Sequence, residues 1–236
     1  MNDQGGKNAM GEVMEQKQQI VRCIRMLERA GIMDYNGHAS TRVADGRMII
    51  NIGSCQRSRL TADDICTIDF DGNVIEGNGK PPLEFHLHAG VYKARSDVNG
   101  VIHCHPKWST VLSTAGAEYL PVYAQGSLVY PLPVLDSPDS INNLNMAKRL
   151  TDTLGDRPAA LMKAHGAMTA GKTIVDAFVL LNYLEENAER QYMSQMIGTP
   201  YSFTADELAL CREKLWTASL FKRTWDHFSA KLDEGA

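Results

Sequence analysis

The stretch Val101-Ile102-His103-Cys104-His105-Pro106 carries the sharpest signal for the fold of this chain. Its apolar residues predict a buried strand, and Pro106 predicts a helix directly after it, because proline is favoured at the first helical position. Side chains two residues apart on a strand point to the same face, so His103 and His105 converge on one point. The pair predicts half of a metal site. Two separately hydrogen-bonded histidines are the alternative.

A third imidazole follows the short apolar run Ala160-Leu161-Met162, which predicts another strand. His165 comes just after this run, and Gly166 allows the backbone to turn sharply or to approach a neighbour closely. For His165 taken alone, a purely structural role is the alternative to metal binding. Together with the pair it would supply the three nitrogens of an open catalytic metal site, whose remaining positions go to water or substrate.

A carboxylate stands in the segment Pro81-Pro82-Leu83-Glu84-Phe85-His86-Leu87-His88, after a proline-stiffened loop. Glu84 opens a predicted helix that runs to about Arg95. We interpret Glu84 as an acid/base group beside the metal; the alternative is an acidic residue that only stabilises a helix N-terminus. His88 lies four residues from Glu84 on the same helical face, where it can support the site from behind.

Strands and helices interleave on either side of these motifs, which predicts one layered α/β domain over residues 12–236. Residues 1–11 are polar and glycine-containing, and they are predicted to form a flexible tail. The apolar periodicities predict strands at 38–43, 48–51, 66–70 and 159–163, and helices at 20–31, 140–154, 173–196 and beyond 204.

The composition argues against several classes of function. Hydrophobic residues make up 44% and charged residues 22% of the chain, which is typical of a globular protein. A net charge of −4 argues against nucleic acid or an anionic membrane surface as the main partner. We see neither a secretory signal nor an apolar run near the ~20 residues of a membrane span. The five cysteines contain no CxxC, so reduced thiols and a cytoplasmic location are expected.

In this order the motifs resemble the class II aldolase/adducin family, from about residue 13 to residue 196. One match alone would be weak, but the ordered set is specific. The resemblance is carried by Asn36-Gly37-His38-Ala39-Ser40-Thr41-Arg42 for the family's Gly-x-x-Ser-x-Arg strand, Leu60-Thr61-Ala62-Asp63-Asp64-Ile65 leading to Ile68-Asp69-Phe70-Asp71-Gly72, Glu84, the His103 and His105 pair, and His165-Gly166.

The resemblance implies a single-domain, three-layer αβα sandwich with a central mixed, largely antiparallel β-sheet, assembled as a homo-oligomer, usually a tetramer. It implies one divalent metal ion per subunit (Zn, Mn or Fe), held by His103, His105 and His165. Glu84 matches the family's acid/base carboxylate, which is sometimes a fourth ligand. Members include sugar-phosphate aldolases and epimerases, a dehydratase and decarboxylases of hydroxylated aromatic dicarboxylates, whereas adducin heads use the fold without catalysis.

The sequence departs from the sugar-phosphate members at the substrate. Those aldolases hold phosphate with a Thr/Ser-Gly loop and with a Ser-Ser pair before the catalytic Glu, where this chain has Pro82 and Leu83. The loop 51–59 carries Arg57 and Arg59, either of which can pair bidentately with a carboxylate; solvated loop residues are the alternative. The expectation is therefore a decarboxylase of a small hydroxylated aromatic dicarboxylate, similar to dihydroxyphthalate. An aldolase or epimerase of a sugar phosphate is the alternative, and a non-catalytic scaffold is a third interpretation.

Further contacts are expected from the same resemblance. Asn36, Ser40 and His86 are candidate substrate-binding residues. Tyr123 stands near the position where some members carry a proton-donating tyrosine, with a packed core tyrosine as the alternative. Trp108 either lines a ring pocket or packs in the core. The apolar residues after Thr204 are more numerous than a terminal tail needs, so they are expected to cover a subunit interface or to close an active site.

Overall fold

A computed structural model describes residues 3–44 and 46–234. The strands are β1 (His38–Ala44), β2 (Arg47–Asn51), β3 (Ile65–Asp69), β4 (Val74–Glu76), β5 (Gly100–Cys104), β6 (Val134–Leu135), β7 (Ala159–Met162) and β8 (Gly166–Gly171). The helices are α1 (Asp3–Arg29), α2 (Phe85–Ala94), α3 (Lys107–Thr114), α4 (Leu144–Leu154), α5 (Ile174–Ile197), α6 (Ala205–Leu215) and α7 (Ala218–Asp233). Short 3₁₀ segments lie at Arg57–Arg59, Ala62–Asp64 and Gln125–Val129.

The eight strands form one sheet in the order β4-β3-β2-β1-β5-β8-β7-β6. Neighbouring strands are antiparallel except for β6 and β7, which pair in parallel. This confirms the mixed, largely antiparallel sheet. β5 lies in the interior of the sheet and every one of its residues is buried, as its continuous apolar sequence predicts for a strand covered on both faces.

Helices cover both faces of the sheet. On one face, α1 and α5 pack with residues such as Ile24, Leu27 and Phe178 into a large apolar cluster. On the other face, α2 and α4 form a second cluster that includes Leu87 and Leu150. Each face of a sheet buries its own set of alternating side chains, so two clusters separated by the strands make a three-layer αβα sandwich.

Three features differ from what the sequence pattern predicts. The sequence does not predict β8, because four of the six residues in Gly166-Ala167-Met168-Thr169-Ala170-Gly171 are glycine or alanine; the segment is a strand through its pairing with β5 and β7. Helix α4 begins at Leu144 rather than near residue 140, because the Asn143 side chain caps it by accepting a hydrogen bond from the Met146 N–H. Helix α1 includes residues 3–11 of the expected tail. The flexibility of that segment stays a prediction, and residues 1 and 2 lie outside the described residues.

The C-terminal helices fold back onto the rest of the subunit. On α7, Trp225 and Phe228 pack edge-on against Phe178 of α5, with ring centroids 5.1 Å and 5.4 Å away, and Phe221 is buried. Much of the apolar surface after Thr204 is therefore covered within the subunit, although Trp216 stays 48% exposed. None of the described helices has the length and apolar character needed to cross a membrane.

Candidate metal centre

Three imidazoles converge where β5, β7 and β8 meet. His103 lies on β5, His105 directly follows that strand, and His165 occupies the turn between β7 and β8. Their ring centroids are 5.0 Å, 5.1 Å and 5.3 Å apart in pairs. One potential ligand atom from each histidine and one carboxylate oxygen of Glu84 all lie within 4.8 Å of one another. The residues expected from the sequence to hold a metal are thus brought to one point.

Each of the three histidines has its Nδ1 atom fixed by an acceptor. His103 Nδ1 lies 2.9 Å from the Ala167 carbonyl oxygen, and His165 Nδ1 lies 3.2 Å from the Asp139 carbonyl oxygen. His105 Nδ1 lies 3.0 Å and 3.1 Å from the two Asp34 carboxylate oxygens. Because these oxygens can only accept, each Nδ1 carries a hydrogen, and Nε2 is left as the nitrogen that can face a metal.

Glu84 reaches the cluster from the N-terminal end of α2. Its Oε1 atom accepts a hydrogen bond of 2.8 Å from the Ile141 N–H and lies 3.8 Å from His165 Nε2. Its Oε2 atom lies 3.5 Å from His103 Nε2 and 3.6 Å from His38 Nε2. Burial alone would raise the pKa of the Glu84 carboxyl, but the adjacent imidazoles of His103 and His38 outweigh it and hold that pKa well below its usual range. Glu84 is therefore a carboxylate in the resting site.

The turn that presents His165 has an unusual backbone. Ala164 has φ +53°, in the left-handed region that non-glycine residues rarely adopt, and its N–H donates to the Ser113 hydroxyl over 3.1 Å. At Gly166, an added Cβ atom would collide with the Cys104 carbonyl oxygen and come within 2.9 Å of the His105 ring. Glycine at this position therefore allows β8 to lie close to the end of β5, and it is not required for a sharp turn.

The donor set fits a divalent metal. His103 Nε2 is buried and has no hydrogen-bond partner among the described residues, although buried polar nitrogens are normally paired. Three imidazole nitrogens and a carboxylate oxygen are the ligands of catalytic zinc and related transition-metal sites. The Glu84 and His165 side chains are 12% and 11% exposed, and that of His105 is 21% exposed, so the cluster opens toward solvent on one side. A substrate can therefore reach it.

A cavity of about 460 Å³ adjoins the cluster through Asp34, the partner of His105. Its walls also include Asn36, Gly53 and Arg57. Asn36 is exposed there, in agreement with a substrate-binding position that stays a prediction.

Arg57 has a different environment from the expected one. It is only 4% exposed, and its Nε atom donates to the Gly37 carbonyl over 2.8 Å. Its Nη1 atom donates to the carbonyls of Gly53 and Cys55. The guanidinium therefore fastens the loop 53–57 to the start of β1, and most of its donors are already used. Arg59 is exposed, so it alone of the two has the freedom that a bidentate carboxylate pair requires.

Ser40 requires a correction. It is completely buried, and its hydroxyl lies 2.6 Å from His88 Nδ1 and 2.8 Å from the Tyr92 hydroxyl. A substrate does not reach this position, so the expected direct contact is wrong. The hydroxyl belongs instead to a network behind the cluster.

Tyr123 and His86 are not brought to the cluster within this chain. The Tyr123 ring lies under the Arg190 guanidinium at 4.0 Å, and its N–H donates to the Asn187 side chain of α5. His86 is half-buried on α2 with its ring 4.0 Å from that of Phe85. Trp108 lines a separate cavity between α1, α3, α5 and α7. Catalytic and substrate-binding roles for Tyr123 and His86 stay predictions.

Two residues at the site were not found from the sequence. His38 faces Glu84 because β1 pairs with β5 in a register that sets His38 opposite His103. Asp34 holds His105 across 71 positions of sequence. Both depend on pairings between distant segments. The one local signal available was a histidine inside the Gly-x-x-Ser-x-Arg strand, two residues before Ser40.

The family model described as Class II Aldolase and Adducin N-terminal domain matches residues 18–192, well over half of the chain. The chain belongs to this family. Within the class II aldolase family, an L-fuculose phosphate aldolase of Methanocaldococcus jannaschii is 30% identical over 185 residues, covering 78% of this chain and 99% of the relative. A 3,4-dihydroxyphthalate decarboxylase of Arthrobacter keyseri is 29% identical over 181 residues, covering 68% and 71%.

Solved structures of the class II aldolase family share the fold. The L-fuculose 1-phosphate aldolase of Glaciozyma antarctica superimposes with a TM-score of 0.85 at 19% identity, covering 96% of this chain and 91% of that one. An aldolase II superfamily protein from Pseudomonas syringae gives a TM-score of 0.84 at 20% identity, covering 94% of each chain. At these identities the likeness establishes the architecture and leaves the substrate open.

Proposed function

We propose that this chain is a metal-dependent carbon–carbon lyase that decarboxylates a hydroxylated aromatic dicarboxylate. The observation that supports the substrate class is the rim of the site directly before Glu84. Leu83 is 81% exposed and supplies the apolar surface, while Pro82 before it is buried and has neither a hydroxyl nor an N–H. Such a rim offers apolar contact to a flat ring and no side-chain donors to a phosphate.

The side chains of the cluster divide the work. His103, His105 and His165 would hold one divalent ion, which supplies Lewis-acid withdrawal of electrons from bound substrate oxygens. As a carboxylate, Glu84 can first accept the proton of a substrate hydroxyl. When the bond between the ring and the carboxyl carbon breaks, its electron pair stays on the ring carbon. Glu84 then returns the proton to that carbon, and carbon dioxide leaves.

An aldolase acting on a sugar phosphate is the second candidate. It is supported by the relative from M. jannaschii, which carries that activity in its name and is matched over almost its full length. In such an enzyme Glu84 would exchange a proton next to the bond being broken. Phosphate donors would have to come from Ser54, on the cavity beside Asp34, because the Gly53 N–H already donates to the Lys80 carbonyl over 3.0 Å. A non-catalytic scaffold is the third candidate, and stoichiometric metal in the purified protein would argue against it.

The test compares substrates and one variant. We expect carbon dioxide from 3,4-dihydroxyphthalate or a close analogue, no aldehyde from L-fuculose 1-phosphate, and competitive inhibition by aromatic dicarboxylates but not by inorganic phosphate. Glu84→Gln should lower kcat by ~10²–10⁴ if the carboxylate transfers the proton. Glu213→Gln, at an exposed position of α6, is the matched control. Aldehyde release together with tight inhibition by phosphate would replace the decarboxylase with the aldolase.

We also propose that the chain assembles as a homo-oligomer, with the tetramer favoured. The end of α5 and the segment after it expose Met193, Met196, Ile197 and Tyr201, at 57% to 91% of their surface. Apolar residues so close together on a surface commonly mark an interface. Light scattering at micromolar concentration should give a mass above that of one 26.1 kDa chain. A monomer would contradict this proposal.

A further inference from the structure

A line of buried polar groups runs from Glu84 into the interior between β1 and α2. His38 Nδ1 lies 2.7 Å from His88 Nε2, His88 Nδ1 lies 2.6 Å from the Ser40 hydroxyl, and that hydroxyl lies 2.8 Å from the Tyr92 hydroxyl. None of these four side chains is more than 1% exposed. Buried polar networks are costly unless every member is paired, so a chain of contacts this short fixes its members in place.

The outer end of this line faces the acid/base carboxylate. His38 Nε2 is buried without a hydrogen-bond partner among the described residues and lies 3.6 Å from Glu84 Oε2. That separation is slightly longer than a hydrogen bond, and bonds at catalytic groups often tighten only when the site is filled. The His38 side chain is only 1% exposed, and a low-dielectric interior disfavours a charged imidazolium, so the ring carries a single hydrogen.

The position of that hydrogen follows from the neighbours. A lone pair on His38 Nε2 would face a carboxylate oxygen and be repelled, whereas an N–H there is attracted. With the hydrogen on Nε2, His38 Nδ1 must accept from His88 Nε2–H. His88 Nδ1 must then accept from the Ser40 hydroxyl. The Tyr92 hydroxyl contacts the Ser40 hydroxyl and donates to the Ser40 carbonyl oxygen over 3.0 Å, so it holds Ser40 in place, while the Glu84 carboxylate at the other end sets the direction of the line.

We infer that His38 is a positioning residue for Glu84. His38 donates from Nε2 to Glu84 Oε2, and its contacts through His88 to Ser40 hold it in that tautomer. The inference rests on the proposed acid/base role of Glu84. It gives the carboxylate two donors, the Ile141 N–H at Oε1 and His38 at Oε2, and so fixes its orientation beside the three imidazoles. His38 itself is not part of the ligand cluster.

Nitrogen NMR of the full chain labelled with ¹⁵N-histidine tests the tautomers directly. In metal-free and in Zn²⁺-loaded protein, His38 and His88 should both carry the hydrogen on Nε2. In the metal-free protein, the three cluster histidines should carry theirs on Nδ1. Signals are assigned by their loss in His38→Gln and in single variants of the others. A hydrogen on Nδ1 of His38 would overturn the inference, whatever the substrate proves to be.

Kinetics test the consequence for Glu84. His38→Leu removes a hydrogen bond to a charged group, so kcat should fall by ~10- to 150-fold, while KM stays within about 2-fold and metal content is unchanged. His38→Gln, which keeps a donor, should recover part of the loss. His227→Leu, at an exposed position of α7, is the control. An unchanged kcat in His38→Leu, or loss of the metal, would overturn the positioning role.

Ser40→Ala interrupts the line of buried polar groups by deleting one hydroxyl oxygen. It provides a second test if His38→Leu does not fold. We expect His88 and His38 to populate both tautomers in this variant and kcat to fall by ~2- to 13-fold, the effect of one neutral hydrogen bond. Retention of single tautomers with full activity would contradict the lock. If Glu84→Gln keeps full turnover, the acid/base role itself fails, and the NMR result still decides where the His38 hydrogen lies.

Discussion

The chain contains two His-x-His motifs, and they behave in opposite ways. His103 and His105 lie at the end of a strand, with their ring centroids 5.0 Å apart and both facing the candidate metal centre. His86 and His88 lie on helix α2, where residues two positions apart point in different directions. His88 is buried in a hydrogen-bonded network, whereas His86 lies beside Phe85. The same His-x-His spacing therefore brings two imidazoles together at the end of a strand and separates them on a helix.

The partners of the imidazole nitrogens make a second difference between the motifs. His103 and His105 bond through Nδ1 to a carbonyl and a carboxylate, which can only accept. His88 bonds on both sides to groups that can donate or accept, an imidazole and a hydroxyl. A partner that only accepts binds the Nδ1–H and leaves Nε2 available to a metal. In His88, by contrast, both ring nitrogens are already in hydrogen bonds within the protein.

Disrupting the His103 and His105 pair should have the largest effect on metal binding. His105→Ala removes one of the three proposed imidazole ligands. Loss of a residue that only supports a ligand lowers metal affinity by up to ~100-fold, so loss of a ligand should lower it further, and activity should disappear with the metal. The fold should persist by circular dichroism. His86→Ala is the matched change in the helix motif, and it should leave metal content unchanged by elemental analysis. Full metal occupancy in His105→Ala would show that the ligand assignment is wrong.

The buried side chain of His38, which lies in the hydrogen-bonded network with His88, should make the metal-free protein sensitive to acid. Burial lowers the folded-state pKa of His38 from 6.5 to about 4, so between these values the unfolded chain binds a proton that the folded one does not. The stabilising contribution is complete above pH ~6.5 and is lost as the pH falls toward 4, by about 3 kcal/mol.

Urea denaturation of the metal-free protein at several pH values measures this loss. Removing the titrating group in His38→Gln should reduce the dependence of the unfolding free energy on pH in this window. His227→Gln, at an exposed position, should keep the full dependence. Equal slopes for His38→Gln and the unmodified protein would contradict the burial argument.

The convergence of His103 and His105 was predictable because it depends on local rules. An apolar run predicts the strand, and alternation within it aims both side chains at one face. The ring of His38 reaches the same place only because β1 pairs with β5 in one register, which no local pattern specifies. The contact of Asp34 with His105 likewise joins residues that are 71 positions apart.

The environment of Arg57 and the strand β8 are two further features that the sequence does not predict. An arginine in a loop suggests a free charge, but here the folded loop surrounds Arg57 with carbonyl oxygens that satisfy it. The segment Gly166–Gly171 has the composition of a loop and becomes a strand only between two neighbours. In both cases the deciding interactions come from distant backbone, which composition and periodicity do not contain.

Asp34 offers a way to sharpen the comparison among the cluster histidines themselves. Asp34→Asn keeps the shape but removes the charge that supports His105, so metal affinity should fall by ~10-fold, the low end for supporting partners of metal ligands. Asp139→Asn is the matched control, because Asp139 holds His165 through its backbone carbonyl. Competition with a chelator would measure both, and an equal loss in the two variants would contradict the role given to the Asp34 side chain.

The smallest effect is expected at Ala164, whose left-handed backbone presents His165. Replacing Ala164 with glycine relieves a left-handed backbone strain of about 1–2 kcal/mol but costs about 0.5–1 kcal/mol through the greater entropy of the unfolded chain. Ala164→Gly should therefore stabilise the protein by up to ~1.5 kcal/mol. Ala115→Gly, where φ is −75°, should instead destabilise it by about 0.5–1 kcal/mol. Because the Ser113 hydroxyl still holds the Ala164 N–H position, metal affinity in Ala164→Gly should stay within about 2-fold. A larger loss of affinity would mean that the alanine Cβ, rather than the hydrogen bond and the strand pair, fixes the place of His165.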